Sequence, residues 1–345
     1  MKVAIITPPI VGHISRGTGI YAQELTAALR KYTTATIINS TFKQVPADYD
    51  VYHFPYFDPF FLTLPLTYKN KTIVTVHDLI PIHFPQYFPR GLKGNVKWHL
   101  QKRKLRQVDA IITDSYASKV DIEKYAEVNP KRIHVIYLAP GEFSLSKISD
   151  KKKINLSQKY SLPNTFALFV GDANWNKNLP NTIRAILQTK IPLVIVNRDF
   201  KQNKEVHPWL KSLHTAQTLA KNNPQIIDIG RVEQDELVTL YGLALALLYP
   251  SYYEGFGLPV VEAFAAGCPV ISSHRGSLKE VAATAAYIVD PDDIKGIAHA
   301  INTLHDDLEY RELLIKKGKG FVQRFSWKRT AQETIQVYEQ IYQQH

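Results

Sequence analysis

Two glutamates, Glu254 and Glu262, are separated by seven residues in a glycine-bearing segment. Pro259 lies between them, and proline suits the first turn of a helix because its missing N–H would have no partner there. This order predicts Glu254 in a loop and Glu262 one turn inside a helix. The backbone amides of residues 255–258 can then attract phosphate, while carboxylates accept hydrogen bonds from sugar hydroxyls. The segment therefore predicts a site for a phosphorylated sugar.

A second loop of this kind follows the first apolar run of the chain and contains Gly17 and Gly19. Without side chains, both positions allow a phosphate or a sugar to approach the backbone closely. The loop lacks the third glycine and the acidic ribose ligand of the dinucleotide-binding fingerprint. A binding loop and an ordinary turn both fit this pattern.

These motifs resemble the family 4 glycosyltransferases, which have the GT-B fold, and the resemblance extends over nearly the whole chain. It is most specific at Glu254 and Glu262, whose spacing matches that family. Further matching segments are 76–79, 114–115, 133–136, 230–232, 236–237, 240–241, 266–272, 276–281 and 289–291. The implied α/β architecture is two doubly wound, Rossmann-like domains that face each other across a cleft.

The resemblance also implies residue roles. Glu262 would bind the ribose of a nucleotide donor, and Glu254 the hydroxyls of the transferred sugar. The catalytic candidates are Glu254, His77 and Lys177. The donor-binding candidates are Gly17, Gly19, Gly171, Arg231, Val232, Gly255, Phe256, Gly257, Leu258 and Glu262.

Lys177 matches the family's diphosphate-binding lysine, and a fixed cation stabilises the charge that develops on a leaving diphosphate. Many members carry an additional arginine where this chain has Asp172 or Asn176. Cationic help then comes from Arg231 or from Lys177 alone.

His77 matches the histidine that approaches the donor sugar in this family. His53, His83 and His99 have no comparable match and are interpreted as structural. The family also implies transfer with retention of anomeric configuration. Residues 76–81 and 84–85 look like bacterial mannosyltransferases, so GDP-mannose is favoured as donor, with a UDP-sugar as the alternative. The acceptor would be a glycan or a lipid-linked molecule.

Two pairs of aspartates have the spacing that metal-dependent glycosyltransferases of another fold use. Asp48 and Asp50 precede a predicted strand, and Asp290 and Asp292 lie in a turn where Asp292 would cap the next helix. GT-B enzymes usually need no metal, so the resemblance implies no metal and no other cofactor.

Short β-rich apolar runs alternate twice with amphipathic segments, a pattern typical of parallel sheets covered by helices. Strands are predicted over 3–7, 35–39, 51–54, 72–76, 110–113, 133–137, 166–170, 193–197, 226–229, 246–249, 270–272 and 287–289, and helices over 20–31, 95–107, 117–126 and 327–342. We predict an acceptor-side domain over 1–150, a donor domain over 151–325, and a C-terminal helix over 326–345 that can return to the first domain.

The composition is that of a folded protein, with 45% hydrophobic and 21% charged residues, and it argues against intrinsic disorder. The single cysteine, Cys268, cannot form an internal disulfide and is interpreted as a small buried residue. The apolar run after Lys2 is too short for a signal peptide, and stretch 237–249 is too short for a membrane helix. We expect a cytoplasmic protein that is at most peripheral to the inner face of the membrane.

The net charge of +11 is concentrated in one segment, because seven bases and no acid lie between Arg90 and Arg106. Lys93 and Lys97, like Lys102 and Arg106, have the four-residue spacing that shares a helix face. We assign these four residues to an anionic membrane or an acidic acceptor rather than to nucleic acid; a merely solvated face is the alternative.

Two other functions stay open. A sugar-nucleotide epimerase or phosphorylase of the same fold would need the same phosphate-binding groups. A basic membrane- or nucleic-acid-binding module could also retain an inactive enzyme fold. The intact Glu254–Glu262 segment and Lys177 argue against the second alternative.

Overall fold

The computed structural model describes residues 1–7, 17–33, 36–41, 48–65, 71–141, 148–202 and 207–343. Contacts divide the chain into two compact units, one of Met1–Ala139 with Phe325–His345 and one of Pro140–Arg324. The first boundary falls earlier than residue 150. The physical reason is that the helix Asp150–Tyr160 packs on the helix Gln234–Leu243, which belongs to the second unit.

The first unit contains a parallel sheet with the strand order β2-β1-β3-β4-β5-β6. The strands are β1 (Lys2–Thr7), β2 (Thr36–Thr41), β3 (Val51–Phe54), β4 (Lys71–Thr75), β5 (Ala110–Thr113) and β6 (Ile133–Val135). The helices are α1 (Gly17–Tyr32), α2 (Ile80–His83), α3 (Gly91–Leu105) and α4 (Tyr116–Asp121). Strands β3 and β5 are buried throughout, as expected of a parallel sheet covered on both faces.

The second unit contains a parallel sheet with the order β12-β11-β10-β7-β8-β9. Its strands are β7 (Ala167–Val170), β8 (Leu193–Val196), β9 (Ile226–Asp228), β10 (Ala246–Tyr249), β11 (Val270–Ser272) and β12 (Tyr287–Ile288). Its helices are α5 (Asp150–Tyr160), α6 (Leu179–Ile186), α7 (Lys211–Ala220), α8 (Gln234–Leu243), α9 (Leu258–Ala266), α10 (Leu278–Val281), α11 (Ile294–Asp306) and α12 (Leu308–Val322). The order of winding reverses between β7 and β10, where open α/β sheets bind their ligands.

The last helix, α13 (Trp327–Gln343), belongs to the first unit and packs on α1. Its Tyr338 is fully buried, and the hydroxyl of Thr330 donates to the carbonyl of Tyr137 at 2.7 Å. The end of the chain is therefore part of the first hydrophobic core.

Several predicted bounds need correction. Helix α3 begins at Gly91 instead of residue 95, and the helix predicted to end at 126 changes after Asp121 to a π-helical turn, Ile122–Ala126. Asp293, not Asp292, caps α11, because the helix begins at Ile294 and Asp293 accepts from the amide of Gly296. In the described part of the chain no helix is long and apolar enough to cross a membrane.

Candidate functional site

Two of the predicted catalytic residues follow neighbouring strands of the second sheet. Lys177 ends a short 3₁₀ helix, Trp175–Lys177, in the loop after β7. Glu254 lies in the loop after β10, which pairs directly with β7. The carboxyl ends of these two strands form the point where the winding of the sheet reverses. The fold therefore places both residues where this kind of sheet binds ligands.

Lys177 and Glu254 form an ion pair in which the carboxylate is buried and the lysine is half-buried. The ammonium Nζ of Lys177 donates to Oε2 of Glu254 at 2.7 Å and to the hydroxyl of Tyr249 at 2.5 Å. Burial lowers the pKa of Lys177, but the carboxylate of Glu254 raises it by more, so the net shift is upward and the lysine stays charged. The other carboxylate oxygen, Oε1 of Glu254, is buried without a hydrogen-bond partner. It is an unsatisfied acceptor beside the lysine.

Amide side chains tie the two loops together. The side-chain amide of Asn176 donates to the main-chain carbonyl of Tyr253 at 3.1 Å. The main-chain carbonyl of Asn176 accepts from the backbone amide of Tyr252 at 2.8 Å. The buried Asn178 donates to the carbonyls of Pro250 and Pro291 at 3.0 and 2.7 Å. These bonds hold Lys177 and Glu254 in register without a covalent link.

A third loop, before α10, packs against the Glu254 loop from the other side. The hydroxyl of Ser277 donates to the carbonyls of Glu254 and Phe256, at 3.0 and 2.7 Å. Gly276 has a φ of 55°, and a Cβ there would lie 3.1 Å from the backbone nitrogen and oxygen of Glu254. Only glycine permits this approach, which fixes the backbone of the loop.

Glu262 lies on α9, as predicted, and is buried. The hydroxyl of Tyr241 donates to its Oε2 at 3.2 Å. Burial raises the pKa of Glu262 to about 7, although the hydrogen bonds from Tyr241 and Gln234 favour the carboxylate. Helix α9 starts with Leu258 and Pro259 after Gly257, whose φ of 100° suits glycine alone. The predicted loop and helix start are thus present.

The other donor-binding candidates are distributed over the two units. Gly171 follows β7, with its α-carbon facing the lysine stem, since a Cβ there would lie 3.8 Å from Cε of Lys177. Arg231 is exposed and Val232 half-buried in the loop after β9. In the first unit, Gly17 begins α1 and Gly19 lies in its first turn; residues 8–16 of that loop lie outside the described residues.

His77 follows β4 in the first unit and is paired with Asp114, which follows the neighbouring strand β5. Nδ1 of His77 lies 2.6 Å from Oδ2 of Asp114. Burial lowers the pKa of His77, but the carboxylate of Asp114, with smaller contributions from Asp78 and the backbone of Pro55, outweighs this effect, so the pKa is raised. The aspartate next in sequence, Asp78, instead accepts from the amide of Ile80.

A buried chain of hydrogen bonds runs behind His77. The hydroxyl of Tyr338 lies 2.6 Å from Nδ1 of His53, whose Nε2 lies 2.8 Å from Oγ1 of Thr75. Thr75 in turn contacts the hydroxyl of Tyr21 at 3.0 Å, and the Tyr21 ring stands edge-on to His77 at 4.8 Å. Burial and, to a smaller extent, the charge of nearby His77 lower the pKa of His53 to about 3, so His53 is neutral. These contacts agree with a structural role for His53.

The basic segment is divided by the structure. Lys102 and Arg106 both form ion pairs with Glu127, the former at 2.6 Å. Lys93 and Lys97 are exposed on another side of α3. The four bases therefore do not form one surface, because a left-handed turn at Glu127 brings a carboxylate beside two of them.

Among the described residues, no three His, Cys, Asp or Glu side chains are grouped so that they could hold a metal ion.

The two halves of the chain match two known family models. Residues 7–139 match Glycosyltransferase Family 4, and residues 150–321 match Glycosyl transferases group 1. The chain belongs to the family 4 glycosyltransferases.

Relatives of this glycosyltransferase include proteins named for mannosyl transfer. It is 28% identical over 277 residues to O-antigen chain mannosyltransferase B of Escherichia coli, covering 78% of this chain and 70% of that protein. It is 29% identical over 284 residues to the serotype-specific mannosyltransferase WbdA of E. coli, covering 79% of this chain. This chain spans only 34% of the length of WbdA.

Solved structures share the fold of this glycosyltransferase. Sucrose-phosphate synthase from Thermosynechococcus elongatus superimposes with a TM-score of 0.79 at 19% identity, over 98% of this chain and 99% of that one. HepE from Anabaena in complex with UDP gives 0.74 at 16% identity, over 99% and 100% of the chains. The predicted GT-B fold is confirmed.

Sequence reasoning missed the partners that hold the candidate residues of this glycosyltransferase in place. Asp114 was noted only as part of a matching segment, and Asn176 only as a departure from the family pattern. Tyr241 and Ser277 were likewise only parts of matching segments, and Tyr249 only the end of a predicted strand. For Asp114 a signal was available, since it ends a buried strand next to the one that precedes His77, and such ends meet at one edge of a parallel sheet.

Proposed function

We propose that the protein transfers mannose from a nucleotide-sugar donor to a hydroxyl of a glycan or lipid-linked acceptor, with retention of configuration at the anomeric carbon. The Lys177–Glu254 pair at the switch point of the second sheet carries this proposal. The pair places a cation, which can bind the diphosphate, beside a carboxylate, which can bind the sugar hydroxyls.

Donor binding exchanges the partners of this pair. The diphosphate takes over Lys177, and the hydroxyls of the sugar take over Glu254, so neither charge is left without a partner. This matters because removing one partner of a buried ion pair is strongly destabilising. A free nucleoside diphosphate satisfies only Lys177, and we therefore expect the site to prefer the intact donor.

The chemical step breaks the bond between the anomeric carbon and the diphosphate oxygen. Lys177 and the backbone at the start of α9 stabilise the negative charge that develops on the leaving group. The acceptor oxygen then forms its bond to the anomeric carbon on the face that the diphosphate leaves, and its proton passes to a phosphate oxygen. This route requires neither a metal nor a pair of catalytic carboxylates.

Glu262 and His77 are assigned to recognition. Glu262 accepts hydrogen bonds from the ribose in its ionised form. With Nδ1 of His77 donating to the carboxylate of Asp114, Nε2 carries a proton only in the charged imidazolium. Asp114 favours that form, so His77 can donate to a hydroxyl of the transferred sugar.

Two observations favour different donor bases. The relatives are named mannosyltransferases, and the segment around His77 looks like bacterial mannosyltransferases, which favours GDP-mannose. HepE, which shares the fold, was solved with UDP, which favours a UDP-sugar as the alternative. We place the reaction in the cytoplasm, with an acceptor at the inner face of the membrane, and assign no role to nucleic acid.

A donor screen tests this proposal. GDP-mannose should raise the unfolding temperature more than GDP, UDP or UDP-glucose, and GDP release should then depend on an added mannan or lipid-linked acceptor. Turnover should persist in EDTA. If only UDP-sugars stabilised the protein, the donor would be a UDP-sugar. GDP release that needs inorganic phosphate instead of an acceptor would indicate a phosphorylase. No stabilisation by any nucleotide-sugar would contradict the proposal.

A further inference from the structure

Helix α3 has one face in the core of the first unit and an opposite face that is apolar as well. Trp98, Gln101 and Leu105 are its buried residues. On the other side, the side chains of Leu92, Val96 and Leu100 are 86%, 61% and 47% exposed. Residues four apart share a helix face, so the three form a continuous stripe in contact with water. A row of large exposed apolar side chains marks an interaction surface.

The loop beside α3 extends this stripe. Phe61 and Leu62 are 57% and 53% exposed, and Nζ of Lys97 lies 5.4 Å from the centre of the Phe61 ring. The loop is held against the helix by the buried amide of Gln101, which donates to the carbonyls of Asp58 and Phe61 and to Oγ1 of Thr63. We call Phe61, Leu62, Leu92, Val96 and Leu100 the α3 surface.

Positive charge accompanies the α3 surface. At about 100° per residue, Lys93, Lys97 and Lys104 lie along one side of the stripe, and Arg103 lies on it. Segment 90–106 contains no acid. The bases on the other side of the stripe, Lys102 and Arg106, are the two that Glu127 pairs with. The cations near the stripe are thus concentrated on the side that also carries Phe61.

We propose that the α3 surface docks on an anionic lipid bilayer, with α3 lying in the plane of the headgroups. This inference deepens the proposed function and rests on it for its purpose, which is to bring the enzyme to a lipid-linked acceptor. Helices that lie in a membrane interface combine an apolar face with flanking lysines. The lysine stems of α3 can reach up from the apolar stripe to lipid phosphates.

The charges select this occupant over two others. A second copy of the chain on the same surface would bring two sets of lysines together and place like charges close to each other. A nucleic acid would satisfy the lysines but would leave Leu92, Val96 and Leu100 in water. An anionic leaflet offers both the negative headgroups and the apolar interior.

Vesicle sedimentation tests the proposal, with phosphatidylglycerol and phosphatidylcholine in equal amounts and with phosphatidylcholine alone. The wild type should bind the anionic vesicles, and more weakly as salt increases. A variant with Leu92→Gln, Val96→Gln and Leu100→Gln should bind them about tenfold or more weakly. A second variant, Lys93→Gln with Lys97→Gln and Lys104→Gln, should lose mainly the salt-sensitive part of the vesicle binding.

Two matched controls keep the charge and the number of exposed apolar groups comparable. Val120→Gln with Leu308→Gln removes apolar side chains of two other helices, which are 59% and 58% exposed. Lys221→Gln with Lys316→Gln and Lys317→Gln removes three exposed lysines of the second unit. Both control variants should bind anionic vesicles as the wild type does.

A fluorescent probe locates the contact. A dye on Val96→Cys should shift to the blue only with anionic vesicles, and Cys268 is buried and will not compete for the label. Equal vesicle binding by the wild type and the apolar variant would overturn the proposal. So would a change in the sedimentation coefficient of the free apolar variant without a vesicle effect, which would indicate self-association. Binding of GDP-mannose by that variant should be unchanged, so failure to dock and failure to bind the donor are distinguished.

Discussion

Each unit of the molecule contains a charged pair with a buried carboxylate at its candidate site, and the two pairs differ in the proposed role of that carboxylate. Lys177 and Glu254 of the second unit lie 2.7 Å apart, and both are proposed to bind the donor. His77 and Asp114 of the first unit lie 2.6 Å apart, but only His77 is proposed to meet the sugar. In the proposed mechanism the first of these pairs opens when the donor binds, whereas the second stays closed throughout.

A short charged contact is thus proposed to have two different uses in this molecule. In the second unit the two charges of the ion pair compensate each other, and we propose that they separate when the donor binds. In the first unit the carboxylate is a fixed partner that sets the protonation and orientation of one ring. Mutation of each partner should therefore have different consequences in the two units.

The largest effect is expected at Lys177. Lys177→Met removes the cation that stabilises the leaving diphosphate, and turnover should fall by about 10²–10³-fold. It also leaves Glu254 buried and unpaired, at a cost of about 3–5 kcal/mol in the free energy of unfolding. Adding Glu254→Gln should restore much of the stability and none of the turnover, as measured by chemical denaturation and GDP release.

Lys159→Met is the matched control for this experiment. Its partner Glu236 lies in an exposed ion pair, and such pairs contribute at most about 1 kcal/mol. If the double variant of Lys177 and Glu254 remained as unstable as Lys177→Met alone, the ion pair would not be the source of the loss.

The second-largest effect is expected at Asp114. Asp114→Asn removes the charge that raises the pKa of His77, so the protonated imidazole should be lost at a lower pH. The descending limb of the pH dependence of kcat should move toward acid, and turnover at neutral pH should fall about 10–100-fold, as for other partners that orient a functional histidine. Asp78→Asn should move the limb by less, because Asp78 makes a smaller contribution to the raised pKa of His77. An unchanged limb in Asp114→Asn would remove the proposed role.

A pH effect on stability is expected at Glu262. Because burial raises its pKa to about 7 from an ordinary 4.5, the stability from this group is present below pH 4.5 and is lost as pH rises through 7. The whole loss can reach ~3 kcal/mol. Glu262→Gln should flatten that part of the pH profile of unfolding. Nucleotide affinity should show the opposite trend and increase with pH, because the ribose is bound by the carboxylate.

The smallest effect is expected behind His77. Tyr338→Phe removes the hydroxyl that contacts Nδ1 of His53, and it should cost roughly 1–3 kcal/mol in the free energy of unfolding because the buried nitrogen loses its partner. Tyr342→Phe, on the exposed side of the same helix, should cost close to nothing. Equal effects of the two substitutions in thermal unfolding would mean that the contact between Tyr338 and His53 does not stabilise the protein.

The sequence predicted what is local and missed what is distant. The loop with Glu254 and the helix with Glu262 follow from glycine and proline chemistry within one segment, and the structure contains both. The partners of the same residues come from elsewhere: Lys177 is 77 residues from Glu254, and Asp114 is 37 residues from His77. Such contacts depend on strand order, which a periodic pattern does not encode.

The basic segment shows the same limit on a smaller scale. Four-residue spacing predicted a face that Lys102 and Arg106 share, and they do share an ion-pair partner. Spacing alone could not place Glu127 beside them, because that depends on a turn after the π-helical segment. The exposed leucines of α3 were equally hidden, since an apolar residue in a helix is ordinarily assigned to the core.

Calorimetry with GDP and GDP-mannose tests the central claim most directly. If Glu262 binds the ribose and Glu254 the sugar, Glu262→Ala should weaken both ligands alike, by roughly 1–3 kcal/mol. Glu254→Ala should weaken GDP-mannose without weakening GDP, because GDP makes no contact with this carboxylate in the proposed mechanism. Equal losses of both ligands in the two variants would contradict the division of roles between Glu254 and Glu262.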